Sequence, residues 1–258
     1  MNVAVIDFSI LWPAFAAGLL VTATHVPLGI QVLSRGIVFI DLAIAQVAGL
    51  GVIFADSLGL EPQGWAVQVA ALAAALAAAL AGALLLTWTE KRWPEVQEAI
   101  IGTTFILAAS GALLLLASNP HGGEHLKELL VGQILWVNWV RLLPVALVYA
   151  ALLALWFTQG ERLGRTGFYL VFAVAVTVSV QLVGLYLVFA TLIVPALATC
   201  RLQRSRLAVC YVLSAAAYAT GLSASAVFDL PSGAVIVWAM ATLALPVFAY
   251  GARRPAAQ

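Results

Sequence analysis

The feature that most constrains this chain is a long apolar segment over residues 183–201. It is long enough to enter a bilayer, yet Gly184 and Pro195 interrupt it, and three arginines follow between residues 201 and 206. A simple lipid-facing anchor has no use for such interruptions, because helix-breaking residues at membrane depth depend on neighbouring protein to satisfy the backbone. The segment therefore predicts a bent or broken helix inside a polytopic membrane protein, such as a transporter or channel subunit, ending at a basic cytoplasmic loop.

Composition excludes a soluble globular domain. Hydrophobic residues make up 64% of the chain and charged residues 9%, and the mean hydropathy is +1.07. Since one span needs about 20 apolar residues, the chain accommodates about eight or nine spans with short loops. We therefore expect an all-α polytopic membrane protein whose helices include some short or broken ones, with a single transmembrane domain over residues 1–258. The net charge of +1 indicates no nucleic-acid partner.

Nine apolar runs divide the chain, and the loops between them carry the topology signals. The runs are residues 9–33, 37–56, 65–88, 99–117, 138–158, 168–182, 184–200, 207–227 and 232–250. Basic residues cluster at 35, 91–92, 162–165, 201–206 and 253–254. Placing these clusters in the cytoplasm leaves three loops outside, at 57–64, 118–128 and 228–233. This alternation of inner and outer loops requires residues 168–200 to cross the membrane twice, as two short or broken helices around Gly184. The alternative, a single bent helix over these residues, is incompatible with the alternation.

The sequence carries no catalytic or nucleotide-binding signature. Residues 160–166 come nearest to a phosphate-binding loop, but they lack its Gly-Lys-Ser/Thr ending. If transport consumes ATP, another subunit must hydrolyse it, and we do not expect this chain to be an enzyme. Cys200 and Cys210 form no metal-ligand pattern with the histidines, so we interpret them as small apolar residues.

Three polar residues inside apolar runs are candidates for a metal pathway. A charge at membrane depth is costly and usually lines a route for an ion or substrate. Asp41 and Gln46 lie in the second run and His25 lies in the first. Each has a structural alternative. Asp41 can anchor its helix at the interface near Arg35, His25 can pack against a neighbouring carbonyl, and Gln46 can bond to another helix.

A second candidate site is the external loop that contains His121, Glu124 and His125. The two histidines are four residues apart, and imidazole together with carboxylate suits a borderline divalent cation such as zinc. Gly122 and Gly123 argue against a continuous helix here. The alternative is a solvated loop whose charges keep it out of the lipid.

Five sequence blocks, taken in order, resemble a known family. They are Pro27-Leu28-Gly29, Glu98-Ala99-Ile100-Ile101-Gly102, Leu129-Leu130-Val131-Gly132-Gln133-Ile134-Leu135, residues 183–201, and residues 225–233 with Asp229 and Pro231. Together they are similar to the permease subunits of zinc and manganese ABC importers, the ABC-3 metal permeases. The resemblance extends over roughly residues 10–240, and its specificity lies in the order and spacing of the blocks.

The resemblance implies a complete transport assembly. Two copies of the chain would form the pathway as a homodimer, two separate ABC ATPase subunits would dock inside, and an extracytoplasmic metal-binding protein would deliver the cargo. The cargo would be a divalent metal, zinc first and manganese second, with no covalently bound cofactor. Arg201, Arg204 and Arg206 would lie near the ATPase. The location would be the bacterial cytoplasmic (inner) membrane, as a multi-pass protein.

The sequence departs from the family at one position pair. Family members commonly carry Asp and His four residues apart in the second span, as an apparent metal-contacting pair. An ungapped match puts Leu42 and Gln46 at those positions. Asp41 comes one residue early, on a different helix face. His125 falls where some relatives have Asp, which favours a ligand role for its loop.

Two other function classes compete with a metal permease. A secondary transporter or channel, working alone on an ion gradient, shares the same composition and span count. A membrane enzyme would need a catalytic motif, and the sequence offers none. Co-purification with an ATPase separates the first alternative from the permease.

Overall fold

The computed structural model describes residues 8–57, 65–116, 130, 132, 134–159, 162–202 and 205–252. Within these ranges the chain is helical and carries no strand. The α-helices are α1 (Phe8–Arg35), α2 (Ile40–Ser57), α3 (Trp65–Arg92), α4 (Gln97–Leu116), α5 (Trp139–Gln159), α6 (Gly164–Val183), α7 (Leu185–Ala198), α8 (Arg206–Phe228) and α9 (Ser232–Ala252). Short 3-10 turns lie at Pro94–Val96 and Ile134–Trp136.

Each predicted apolar run corresponds to one helix, which confirms the all-α polytopic fold. Seven of the helices described are long and apolar enough to cross a membrane, namely α1, α3, α4, α5, α6, α8 and α9. Two shorter apolar helices, α2 and α7, also lie within the described residues. The prediction of one domain over residues 1–258 stays a prediction.

The predicted break at Gly184 is present. Helix α6 ends at Val183, Gly184 has φ +84°, and α7 begins at Leu185. Residues with a Cβ rarely adopt such a positive φ, so glycine is the residue suited to this junction. Pro195 lies inside α7 without ending it. The number of membrane crossings made by α6 and α7 stays a prediction.

The chain divides into two compact units. The first comprises residues 1–35, 130–153 and 181–258. Helix α7 is its centre and packs against α1, α8 and α9. Ten of the 14 residues of α7 are buried, so protein rather than lipid surrounds this helix. A short buried helix of this kind can carry irregular backbone at both ends.

The second unit comprises residues 36–129 and 154–180. In it, α2 packs against α3 and α4, and Gly51 lies so close to α3 that a Cβ there would be 2.7 Å from that of Ala78. A buried polar network ties α3, α4 and α6 together. The Gln97 amide donates to the Leu86 carbonyl at 3.0 Å and to the Tyr169 hydroxyl at 3.4 Å.

Candidate metal pathway and arginine segment

His25 is fully buried in α1, with one ring nitrogen bonded locally and the other without a partner. Its Nδ1 lies 3.1 Å from the Val21 carbonyl oxygen and 3.0 Å from Thr24 Oγ1. A proton on Nδ1 donates to that carbonyl and leaves the Nε2 lone pair unused. No described residue bonds to Nε2. Metal-ligating histidines use this arrangement, with one nitrogen donating to a carbonyl and the other binding metal.

The helix around His25 is adapted to Pro27. Proline has no N–H, so the carbonyl one turn earlier, that of Ala23, loses its usual helical donor. The hydroxyl of Tyr211 on α8 donates to this carbonyl at 3.1 Å. The phenol replaces the missing bond and fixes α8 against the turn that carries His25.

Asp41 lies in the first turn of α2 and is 0% exposed. Its Oδ1 accepts from the Leu42 N–H at 2.8 Å, and Oδ2 has no partner among the residues described. The free N–H groups and the dipole at a helix N-terminus stabilise a carboxylate there. Glu98 provides a second carboxylate near the beginning of α2, where its Oε1 accepts from the Phe39 N–H at 3.4 Å. Asp41 thus combines a helix-end position with one unused buried oxygen.

The structure does not bring Asp41 and Gln46 onto one helix face. Each residue turns an α-helix by about 100°, so side chains five residues apart point about 140° apart. Asp41 is fully buried, whereas Gln46 is half-buried. Leu42, at the family's Asp position, offers no ligand atom.

The external loop and one arginine lie outside the described residues. They are His121, Glu124, His125 and Arg204. Within the part of the chain that the structure describes, no three His, Cys, Asp or Glu side chains are close enough together to hold a metal ion.

The middle of α7 is held by a close backbone approach and a hydroxyl pair. A Cβ on Gly29 of α1 would meet the backbone of Leu192, whose carbonyl carbon would be 2.8 Å away. Thr191 donates to the Leu187 carbonyl at 2.7 Å, and its hydroxyl lies 2.9 Å from that of Tyr218 on α8. Helices α1 and α8 therefore fix α7 at the same level.

Residues 199–206, which we call the arginine segment, connect α7 to α8. The Thr199 hydroxyl donates to the Pro195 carbonyl at 2.8 Å and lies 3.0 Å from the buried Cys210 thiol. That thiol donates to the same carbonyl at 3.3 Å. The Pro195 carbonyl also accepts from the Thr199 N–H at 3.2 Å, so three donors from α8 and the end of α7 meet at this one oxygen.

Two arginines of this segment have partners within the chain. Arg206 donates from Nη2 to the Ala196 carbonyl at 3.2 Å, which places a cation at the negative end of the α7 dipole. Arg201 stacks on Phe248 of α9, with 5.4 Å from Cζ to the ring centroid. Their predicted proximity to an ATPase stays a prediction.

The beginning of α7 is fixed by a second glycine. Gly132 has φ +69°, and a Cβ there would meet the backbone of Val183 and Gly184. Gly132, the glycine of the Leu129–Leu135 block, therefore packs directly on the helix break.

Several residues at these contacts were not predicted from the sequence. They are Tyr211, Tyr218 and Phe248, which look like ordinary apolar aromatics in a hydrophobic chain. Pro27 was a usable signal for Tyr211, since an internal proline always leaves one carbonyl in need of a donor. The other two contacts join distant parts of the sequence and leave no local pattern.

Comparison with known proteins gives a family and a fold. A family model described as the ABC 3 transport family matches residues 7–164 and 162–251. PsaBC from Streptococcus pneumoniae, solved in complex with a Fab, is 23% identical, with a TM-score of 0.74 over 94% of this chain and 92% of that chain. An inward-facing transporter assigned to the metal-chelate type of ABC transporter is 16% identical, with a TM-score of 0.65 over 98% and 91%. At these identities the two structures show the fold.

Proposed function

Because the chain belongs to the ABC 3 transport family, we propose that it is the permease subunit of an importer for divalent metal ions, zinc above all. The observation that carries this proposal is the family match, which covers nearly the whole chain. ATP is hydrolysed by a separate ABC ATPase, and an external metal-binding protein delivers the ion. Two copies of the chain form the pathway in the bacterial cytoplasmic membrane. Manganese is the second candidate cargo.

Two buried polar atoms support a route for a cation. His25 Nε2 and Asp41 Oδ2 are each held within a fully buried side chain, and neither has a partner among the described residues. A buried polar atom without a partner is costly, and a passing cation would offset that cost. His25 belongs to the first compact unit and Asp41 to the second, and each atom supports the proposal separately.

The donor chemistry favours zinc over harder ions. An imidazole nitrogen is a good ligand for zinc, whereas manganese prefers oxygen donors. Gln46, a neutral amide, is at best a weak ligand. His121, Glu124 and His125 are proposed to capture the metal outside, and Arg201, Arg204 and Arg206 to couple the permease to the ATPase.

Metal uptake in cells tests the pathway. Cells with and without the chain are compared for uptake of radioactive zinc and manganese, normalised to membrane-embedded protein. We expect zinc uptake to require the chain and Asp41→Asn to lower it about tenfold or more, the size of effect typical for groups at a metal site. Glu95→Gln is the matched control, because Glu95 is an exposed carboxylate.

The interface-anchor interpretation of Asp41 gives the opposite result. It predicts a lower protein yield for Asp41→Asn with an unchanged rate per embedded molecule. Uptake that follows an imposed ion gradient, with no ATPase co-purifying, would instead support a stand-alone secondary transporter or channel.

A further inference from the structure

The C-terminal end of α9 packs against the arginine segment. Phe248 is 37% exposed and carries the Arg201 guanidinium over its ring. One turn later, a Cβ on Gly251 would lie 3.5 Å from Arg201 Cβ and 3.7 Å from Leu202 Cδ2. Phe248 therefore contacts the segment, and position 251 faces it one helical turn further along α9.

The physics of this contact favours a fixed geometry. A guanidinium over an aromatic face gains electrostatic attraction, and arginine adds a planar stacking surface. Position 251 faces the segment with room for a side chain, because an added Cβ would lie at ordinary van der Waals distance from Arg201 and Leu202. The Arg201 guanidinium thus has an aromatic partner within the chain.

Other contacts hold the described residues of the segment. Thr199 is bonded to Pro195 and Cys210, Arg206 is bonded to Ala196, and the Leu202 N–H donates to the Thr199 carbonyl at 2.9 Å. The contact with α9 adds a side-chain support at Arg201. It makes α9 the third helix, after α7 and α8, that contacts the described part of the segment.

We propose that Phe248 is a positioning residue for ATPase docking, because it fixes the position of Arg201 on the arginine segment. The inference rests on the proposed function, in which the arginine segment meets the ATPase. Arg201 acts by fixing the segment on α9, and its charge need not touch the ATPase. This assigns the C-terminal end of α9 to the coupling surface.

A disulfide replaces the contact and tests the role directly. A Cβ–Cβ distance of 3.5 Å falls in the range of about 3.5–4.5 Å found in disulfides. Arg201→Cys is combined with Gly251→Cys in a Cys200→Ser background, since Cys200 is an exposed thiol. The bond is formed with copper phenanthroline and verified by mass spectrometry of the full chain in nanodiscs.

The measured quantity is the concentration of the co-purifying ATPase that gives half-maximal metal-stimulated hydrolysis. We expect Arg201→Cys to raise it about 2- to 5-fold, as loss of an exposed cation–π contact predicts. Oxidation of the double variant should return this half-maximal ATPase concentration to the wild-type value, and reduction should raise it again. A direct electrostatic role for Arg201 would leave the oxidised variant as weak as the reduced one, which overturns the inference.

Aromatic substitutions provide an independent arm. Phe248→Leu should match the effect of removing Arg201 and add nothing to it in the double variant, whereas Phe248→Trp should retain wild-type docking. Trp238→Leu is the control, because Trp238 is 75% exposed on the same helix. A failed disulfide, or wild-type docking in Phe248→Leu, overturns the inference alone. Wild-type nanodiscs that dock no ATPase overturn the proposed function, and the inference with it.

Discussion

The two ends of α7 are held by different kinds of contact. Its beginning is fixed by backbone against backbone, where Gly132 packs on Val183 and Gly184 and no side chain fits. Its end is fixed by side chains, through the hydroxyl of Thr199 and the thiol of Cys210. The backbone contact at Gly132 has no room for a Cβ, so any side chain there forces the backbone to move. At the other end, one hydrogen bond can be removed while the others remain. The same helix should therefore respond to substitution in two different ways.

The largest effect is expected at the glycine end. Gly132→Ala adds a Cβ both in a left-handed backbone conformation and against the Val183 backbone. Together these should destabilise the fold by about 2–5 kcal/mol. Thermal melting in detergent and the yield of embedded protein measure the effect.

Gly36→Ala is the matched control for this change. Gly36 has φ +70° and nothing within 4 Å of an added Cβ, so only the conformational cost of about 1–2 kcal/mol applies. Equal losses of melting temperature in the two variants would show that the backbone contact at Gly132 contributes nothing.

A smaller effect is expected at the hydrogen-bonded end. Thr199→Val keeps the side-chain shape but removes the hydroxyl that meets Pro195 and Cys210. We expect a loss of about 1 kcal/mol in the free energy of unfolding. Thr103→Val is the control, since Thr103 makes the same bond to the carbonyl four residues earlier, at 2.8 Å, from an exposed position. Equal losses of melting temperature in the two variants would show that the contact between Thr199 at the end of α7 and Cys210 on α8 adds no stability.

Helix positions could be predicted from the sequence because the bilayer sets the length of an apolar run. The run 232–250 became Ser232–Ala252, and the break at Gly184 was found where expected. Pro195 lies inside the predicted run 184–200, and α7 continues past it to Ala198. A proline inside a helix leaves the carbonyl four residues earlier, here that of Thr191, without its helical donor.

Local contacts of the candidate site could be predicted, whereas long-range ones could not. A neighbouring carbonyl as partner of His25 was one of the alternatives, and Val21 is one helical turn away. Arg201 and Phe248 meet only because α7 and α9 pack together, which no pattern in a single sequence specifies. The Asp41 position near a helix start agrees with the alternative that it anchors its helix near Arg35, whereas the burial of its unpartnered Oδ2 had no signal in the sequence.

Reconstituted transport tests the central claim most directly. Vesicles that contain the chain and its co-purified ATPase are loaded with ATP, and radioactive zinc is supplied outside together with the external metal-binding protein. An ABC permease predicts zinc accumulation that requires hydrolysable ATP and stops with a non-hydrolysable analogue. Accumulation that ignores ATP and follows an imposed ion gradient would contradict the assignment.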